Sequence, residues 1–321
     1  MSLREFGELE NMPTVTLSSG YEMPVIGLGL WRLEKNELKD TILNAIKLGY
    51  RHFDCAAHYK TEADVGEALA EAFKTGLVKR EELFITTKVW NSDHGYVVEA
   101  CKNSLKKLRL DYLDLYLVHY PLPTRHNAIG QTASLLGKDK VLDIDVTIPL
   151  QQTWEGMERT VSLGLVRSIG LSNYDLFLTR DCLAYSKIKP AVSQFETHPY
   201  FQRHSLVKFC LKHGVLPTAH TPLGGAAANK DMFGSISPLD DPVLNDVAKK
   251  YGKTVAQICL RWGIQRKTAV IPKSSKIQRL KENLEVLEFQ LSHEDMEVIN
   301  SIDRKCRTSL PSKTWGLDVY A

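Results

Sequence analysis

Gly27-Leu28-Gly29-Leu30-Trp31-Arg32 (GLGLWR, residues 27–32) ends the first long apolar run of the chain, and two α/β architectures part at it. A doubly wound dinucleotide-binding sheet wants G-x-G-x-x-G between its first strand and first helix, the third glycine allowing close helix–strand packing. Here Arg32 stands where that glycine belongs. Outward from this point, apolar runs alternate with amphipathic stretches almost to the end of the chain. The runs are VIGLGLW (25–31), HFDCA (52–56), LFITTKVW (83–90), LDLYLVHY (113–120), VRSIGLSN (166–173), AVSQFETH (191–198), LPTAHTPL (216–223) and TAVIPKS (268–274). They are rich in β-branched and large apolar residues, as strands buried on both faces require. About eight strand–helix units in series is the arithmetic of a (β/α)8 TIM barrel. The sequence therefore predicts an α/β chain with one barrel domain over residues 13–321, preceded by a flexible or expression-derived extension over 1–12.

The helical stretches include EADVGEALAEAF (62–73), VVEACKNSLKKL (97–108), SLVKFCLKHG (205–214) and IQRLKENLEVL (277–287). Their apolar residues recur every three to four positions, with glycines such as Gly66 and Gly214 read as punctuation. TVTLSSGYEMP, ahead of the first unit, reads as a β-hairpin plugging the barrel floor. Residues 121–149 and 224–240 exceed ordinary loop length, and long loops on this fold shape active sites at the carboxyl face. The aperiodic tail from Cys306 to Ala321 is expected to fold over the same mouth.

Composition excludes several classes. Lys+Arg 41 against Asp+Glu 38 gives a formal charge of +3, so nothing points to nucleic acid. No apolar stretch is long enough to span a bilayer, and the first residues lack the apolar run of a secretory signal. The six scattered cysteines form no CxxC pair and read as buried thiols, with no metal or disulfide. A cytoplasmic protein, monomeric or weakly dimeric and acting on a small molecule, is the expectation.

A polar or aromatic residue stands at or just past the carboxyl end of each strand candidate: Trp31, Asp54, Lys88, His119, Asn173, Gln194, His220 and Lys273. Any one alone is weak, since a strand-end His is usually structural and a strand-end Lys usually reaches solvent. A barrel brings all of them to one rim. Among them, Asp54, Tyr59, Lys88 and His119 suit one chemistry. A phenol is a poor acid near neutrality, with a reference pKa of about 10, and a neighbouring ammonium should lower it. Such a phenol can protonate a carbonyl oxygen as negative charge develops there, and a neutral imidazole can orient that carbonyl. The set has no metal-ligand spacing and no Ser or Cys nucleophile beside a base. It is an arrangement for reducing a carbonyl.

From about residue 14 onward the chain resembles the aldo-keto reductase family, on FDCAAHY (53–59), ITTKVW (85–90), LDLYLVHYP (113–121), GLSN (170–173), QFETHPY (194–200) and IPKSSKIQRLKEN (271–283). The resemblance implies Asp54, Tyr59, Lys88 and His119 as the acid–base group, with Tyr59 the proton donor in reduction. It implies a nicotinamide cofactor held by Ser172, Asn173 and Gln194 at its carboxamide, with His220, Pro222 and Leu223 beside it. His220 stands where many relatives carry a stacking tyrosine, and Leu30 where a hydroxyl residue is common. Lys273, Ser274 and Arg279 offer an ammonium, a hydroxyl and a guanidinium around a helix start, a pocket suited to a phosphomonoester. The family uses these positions for the adenosine 2′-phosphate, and Glu282 and Asn283 for adenine, so NADP(H) is expected.

Lys60, directly after the acid, departs from the uncharged residue that most reductases of the family carry there. HYK together with the tail SLPSKTWGLDVYA resembles a plant branch that reduces aldose 6-phosphates. An ammonium at the entrance could neutralise the phosphate of a substrate whose aldehyde meets Tyr59, with Lys313 or Arg307 assisting. Trp31, Trp90, Tyr120 and Trp315 would wall the pocket. The expected reaction is NADPH-dependent reduction of glucose 6-phosphate or mannose 6-phosphate to the alditol phosphate. A general aldose or xylose reductase is the alternative, and a non-catalytic binding or structural barrel a remote third.

Overall fold

The glycines of the GLGLWR stretch close the barrel. The computed structural model describes residues 12–225 and 237–320; the predicted extension, all but its last residue, and much of the 224–240 loop lie outside them. Among the described residues every predicted apolar run contributes a strand: β3 (Leu28–Gly29), β4 (His52–Asp54), β5 (Phe84–Val89), β6 (Leu113–Val118), β7 (Val166–Ser172), β8 (Val192–Glu196), β9 (Leu216–His220) and β10 (Ala269–Val270). They form one sheet in sequence order, every pairing parallel. The sheet curls shut through the bridge Ile26–Val270 and the bonds Gly27 N–H to Val270 O (2.9 Å) and Gly29 N–H to Pro272 O (3.0 Å). A Cβ on Gly27 would stand 2.5 Å from the His52 ring, and one on Gly29 2.7 Å from Ile271 O. Only glycine admits so close a seam. The strand itself is two residues long, where the apolar run suggested seven.

Burial explains the strand sequences. Every residue of β5 and β6 is buried, as between a filled interior and a jacket of helices. The helices α1 (Lys35–Leu48), α2 (Glu62–Lys74), α3 (Val97–Leu108), α4 (Leu150–Ser162), α5 (Leu176–Tyr185) and α6 (His204–Lys212) follow successive strands. In α3 the buried positions Val97, Cys101, Ser104, Leu105 and Leu108 recur at helical spacing. Gly214 does end a helix, with φ of +73° just beyond α6. Gly66 does not. It lies inside α2, where an added Cβ would stand 2.3 Å from Lys107 O, so it is the point at which α2 and α3 touch.

The predicted hairpin is formed by β1 (Thr14–Thr16) and β2 (Glu22–Pro24) in antiparallel register. Its Leu17 and Met23 pack on Phe84, Val192, Leu216 and Ala269, the first residues of β5, β8, β9 and β10. The hairpin thus covers the amino-terminal floor and leaves the carboxyl-terminal rim to the site. All six cysteines are free and five are buried. Burial pushes the Cys101, Cys182, Cys210 and Cys259 thiols up to about 12. No helix among the described residues is long and apolar enough to cross a membrane.

Candidate active site

The rim of the barrel gathers one buried polar network. Asp54 ends β4 and Lys88 lies one residue from the end of β5. The Lys88 ammonium donates to Asp54 Oδ1 at 2.5 Å and to Cys55 O at 2.8 Å, and it reaches the Tyr59 hydroxyl at 3.3 Å. Tyr59 is set there by the single 3-10 turn Ala57–Tyr59, which follows β4. On the far side Gln194 donates its amide to Asp54 Oδ2 at 2.8 Å, leaving that carboxylate bonded on both oxygens. His119 lies just past β6, its ring edge-on to that of Tyr59 with centroids 5.9 Å apart, and its Nδ1 is buried without a hydrogen-bond partner. The structure therefore brings the predicted four together.

Electrostatics differ from the expectation in one respect. Burial, then the nearby Asp54 carboxylate, hold the Tyr59 phenol well above its ordinary value. The reason is that Lys88 is already half of an ion pair, so Tyr59 sees a neutralised cation from within a dry pocket. His119 moves the other way: burial first, then the charge of Lys88, keep its imidazole neutral.

The carboxyl ends of β7 and β9 and the residues just past them supply the next group. Asn173, at φ of +61°, donates to His119 O at 2.8 Å and to Ser172 Oγ at 3.2 Å. Its side-chain oxygen lies 2.9 Å from His220 Nε2, while His220 Nδ1 lies 3.0 Å from Thr221 Oγ1. Both edges of the His220 ring are thereby tied, which leaves its faces for packing. Burial pushes this imidazole down to about 4. Pro222 is buried beside it, and Leu223 is partly buried against the core.

Aromatic rings form the outer wall. Trp315, from the short helix Ser312–Trp315, stands edge-on to Tyr120 at 4.9 Å and to Trp90 at 6.2 Å. The tail does fold over the mouth. Trp31 is half-buried, with the Arg32 guanidinium 4.6 Å over its ring. Lys60, at φ of +59°, is exposed directly after the turn that carries Tyr59. The Lys313 side chain lies outside the described part of the structure. Arg307 is turned onto the rings of Phe201 and Tyr320, at 4.8 and 3.5 Å.

Two residues with no role assigned from sequence prove structural for the site. His58 stacks on Trp90 with centroids 3.6 Å apart and planes 7° apart, and its Nδ1 meets Thr132 O at 2.9 Å. It joins the long 121–149 loop to the turn holding Tyr59. Glu196 is fully buried and accepts from His198 Nε2 (2.9 Å), from Thr308 N–H and Oγ1 (both 2.7 Å) and from Ser309 N–H (3.0 Å). Burial opposes its charge, but the His198 bond and the other donors hold its carboxyl down at about 2. It roots the tail at the rim. Both residues lie inside the quoted motifs, so their spacing from Tyr59 and Gln194 was the available signal.

The phosphomonoester pocket predicted over 271–283 surrounds the start of the helix Ile277–Leu284, whose N-cap, Lys276, makes no side-chain capping bond. Ser274 and Asn283 are buried, Glu282 is half-buried, and Lys273 and Arg279 are exposed with no ion pair among the described residues. The Lys276 N–H donates to Ser274 Oγ at 3.1 Å, and free cations beside a helix start are of the kind that suit a phosphate.

The model of the Aldo/keto reductase family matches residues 25–304. The NADP-dependent D-sorbitol-6-phosphate dehydrogenase of Malus domestica is 91% identical over 310 residues, covering 97% of this chain and 100% of that protein. Among solved structures, the aldose reductase of Schistosoma japonicum superposes with a TM-score of 0.87 at 38% identity, covering 96% of this chain and 98% of that one. An aldo-keto reductase of Bombyx mori in complex with NADP superposes at 0.85 with 37% identity, covering 95% and 97%.

Proposed function

The chain belongs to the aldo/keto reductase family, and we propose that it reduces an aldose 6-phosphate, glucose 6-phosphate or mannose 6-phosphate, to the alditol phosphate with NADPH. The observation that carries the reading is the union of a buried Lys88–Asp54 pair, bonded to the half-buried Tyr59, with an exposed ammonium on the adjoining residue, Lys60, which has no ion-pair partner among the described residues. A hexose 6-phosphate in its open form presents an aldehyde at one end and a dianion at the other. The likeness to the Malus domestica enzyme supports the same substrate class. Six free thiols fit a reducing cytoplasm.

The residues present suit NADP(H): Lys273, Ser274 and Arg279 for the 2′-phosphate, Glu282 and Asn283 for adenine, Ser172, Asn173 and Gln194 for the carboxamide, with the His220 face and the Pro222–Leu223 turn against the ring. When bound, that group supplies the hydride. The chain itself does the rest. His119, neutral, donates a hydrogen bond that orients the substrate carbonyl. Tyr59 keeps its proton in the dry site until the carbonyl oxygen gains negative charge, then passes it from Oη to that oxygen. Lys88, held by Asp54, stabilises the phenolate left behind. Trp31, Trp90, Tyr120 and Trp315 exclude water.

The test compares kcat/KM for glucose 6-phosphate and free glucose in wild type and in Lys60→Ala. Loss of an ion pair with the phosphate should raise KM for the phosphorylated sugar about tenfold or more and leave glucose nearly unchanged. Equal effects on both sugars would return the enzyme to unphosphorylated aldoses.

A further inference from the structure

We propose that Arg203 and Arg307 form a second oxyanion site, for a phosphate dianion, beside the catalytic mouth and separate from Lys60. A cavity of about 140 Å³ lies between the loops after β6, β7 and β8 and the tail, lined among others by Tyr120, Asn173, Asp175, Arg203, Arg307 and Tyr320. The two guanidinium groups share the ring of Phe201, Arg203 at 5.0 Å and Arg307 at 4.8 Å. Arg203 also lies 5.4 Å from the centre of Phe195, and Arg307 3.5 Å from that of Tyr320. Contact with ring faces holds the guanidinium groups in place without using their five N–H donors apiece. Neither arginine makes an ion pair or hydrogen bond among the described residues.

The carboxylates nearby are occupied elsewhere. All the hydrogen bonds of Glu196 go to His198, Thr308 and Ser309. Asp175, which lines the cavity, caps α5 by accepting from Leu178 N–H at 2.8 Å. Burial, and then the charge of Arg307, push the Arg203 guanidinium down to about 10, so the pair repels itself as it stands. Two half-buried cations lining one cavity, with no contacting anion among the described residues, are matched by a dianion; a single carboxylate would leave one of them uncompensated. Arg203 precedes α6 and Arg307 belongs to the root of the tail that carries Trp315. A phosphate bridging the two arginines would therefore fasten the tail over the active site.

Both inorganic phosphate and a phosphorylated metabolite carry this chemistry. The experiment follows thermal unfolding of the NADP⁺-saturated enzyme, so that the 2′-phosphate pocket is filled, in inorganic phosphate against chloride of equal ionic strength. Phosphate at ten times its Kd should raise Tm by about 2 °C. Lys60→Ala should keep the rise, and Arg203→Gln and Arg307→Gln should each abolish it; Arg203→Gln, outside the tail, carries the test should Arg307→Gln fail to fold. Repeating the titration on Lys60→Ala with sorbitol 6-phosphate separates the sources. An arginine-dependent rise with the sugar phosphate assigns the site to a metabolite, and one with inorganic phosphate alone assigns it to the free ion. Absence of any phosphate-specific rise, its survival in either arginine variant, or its loss in Lys60→Ala overturns the proposal. Because the readout is binding, failure here leaves the reductase reading untouched.

Discussion

Two parts of the rim are built on opposite principles. Around Asp54 the polar groups satisfy one another: Lys88, Gln194 and Tyr59 form a closed set in which the ion pair is almost fully buried. Around the helix start at Ile277 the cations have no ion-pair partner among the described residues; Lys273 and Arg279 are exposed beside a helix whose N-cap makes no side-chain bond. A catalytic group must be pre-organised, because its geometry has to be right when charge develops. A binding charge must be left unpaired, because its partner arrives with the ligand. Substitutions should therefore cost turnover and stability in the first region, and selectivity alone in the second.

The largest effects belong to the closed set. Tyr59→Phe removes the proton donor and should lower kcat by about a thousandfold or more, while the fold loses little, since among the described residues the phenol bonds only to Lys88. Lys88→Met should lower kcat at least as far and also destabilise the fold by about 3–5 kcal/mol, since it strands the buried Asp54 carboxylate. Steady-state rates paired with urea unfolding separate the two. If Lys88→Met unfolds at the wild-type midpoint, Asp54 is not held as the comparison requires.

At the open region the effect is smaller and selective. Arg279→Ala should raise KM for NADPH about 10- to 100-fold, one charge-assisted bond contributing about 1.5–3 kcal/mol, and leave KM for NADH within a factor of two. Unfolding without cofactor should be unchanged. Equal loss with both cofactors would mean that Arg279 supports the helix rather than the 2′-phosphate.

The same contrast explains what could be read from the chain alone. The barrel was legible because each strand sequence is a solid apolar run, and the catalytic four because each stands where such a run meets polar sequence. The two-residue lengths of β3 and β10 were not legible, because the apolar runs that contain them are longer than the paired segments. Gly66 misled because a glycine buried between helices and one ending a helix look alike in sequence. The raised phenol of Tyr59 required knowing that Asp54 cancels Lys88. His58 and Glu196 escaped because their partners, Thr132, Thr308 and Ser309, lie 74 to 113 residues away.

The smallest expected effect is the dependence of turnover on pH, and its flatness is the sharpest probe of the closed set. Burial and the Lys88 charge depress His119, so it is uncharged at every pH above its lowered pKa. His220, at about 4, is neutral by pH 6 as well. Tyr59 is displaced upward, by burial and then by Asp54, so the acid form survives past the usual phenol value of about 10. None of the three changes charge between about pH 6 and pH 9, and kcat for reduction at saturating sugar phosphate should be level across that interval. Working at saturation matters, because the second ionisation of the substrate phosphate, near pH 6, enters KM. An inflection in kcat close to 6.5 would mean that His119 gains a proton in the working enzyme. The positive imidazolium would then stand beside Lys88, and the charge balance assigned to the site would be wrong.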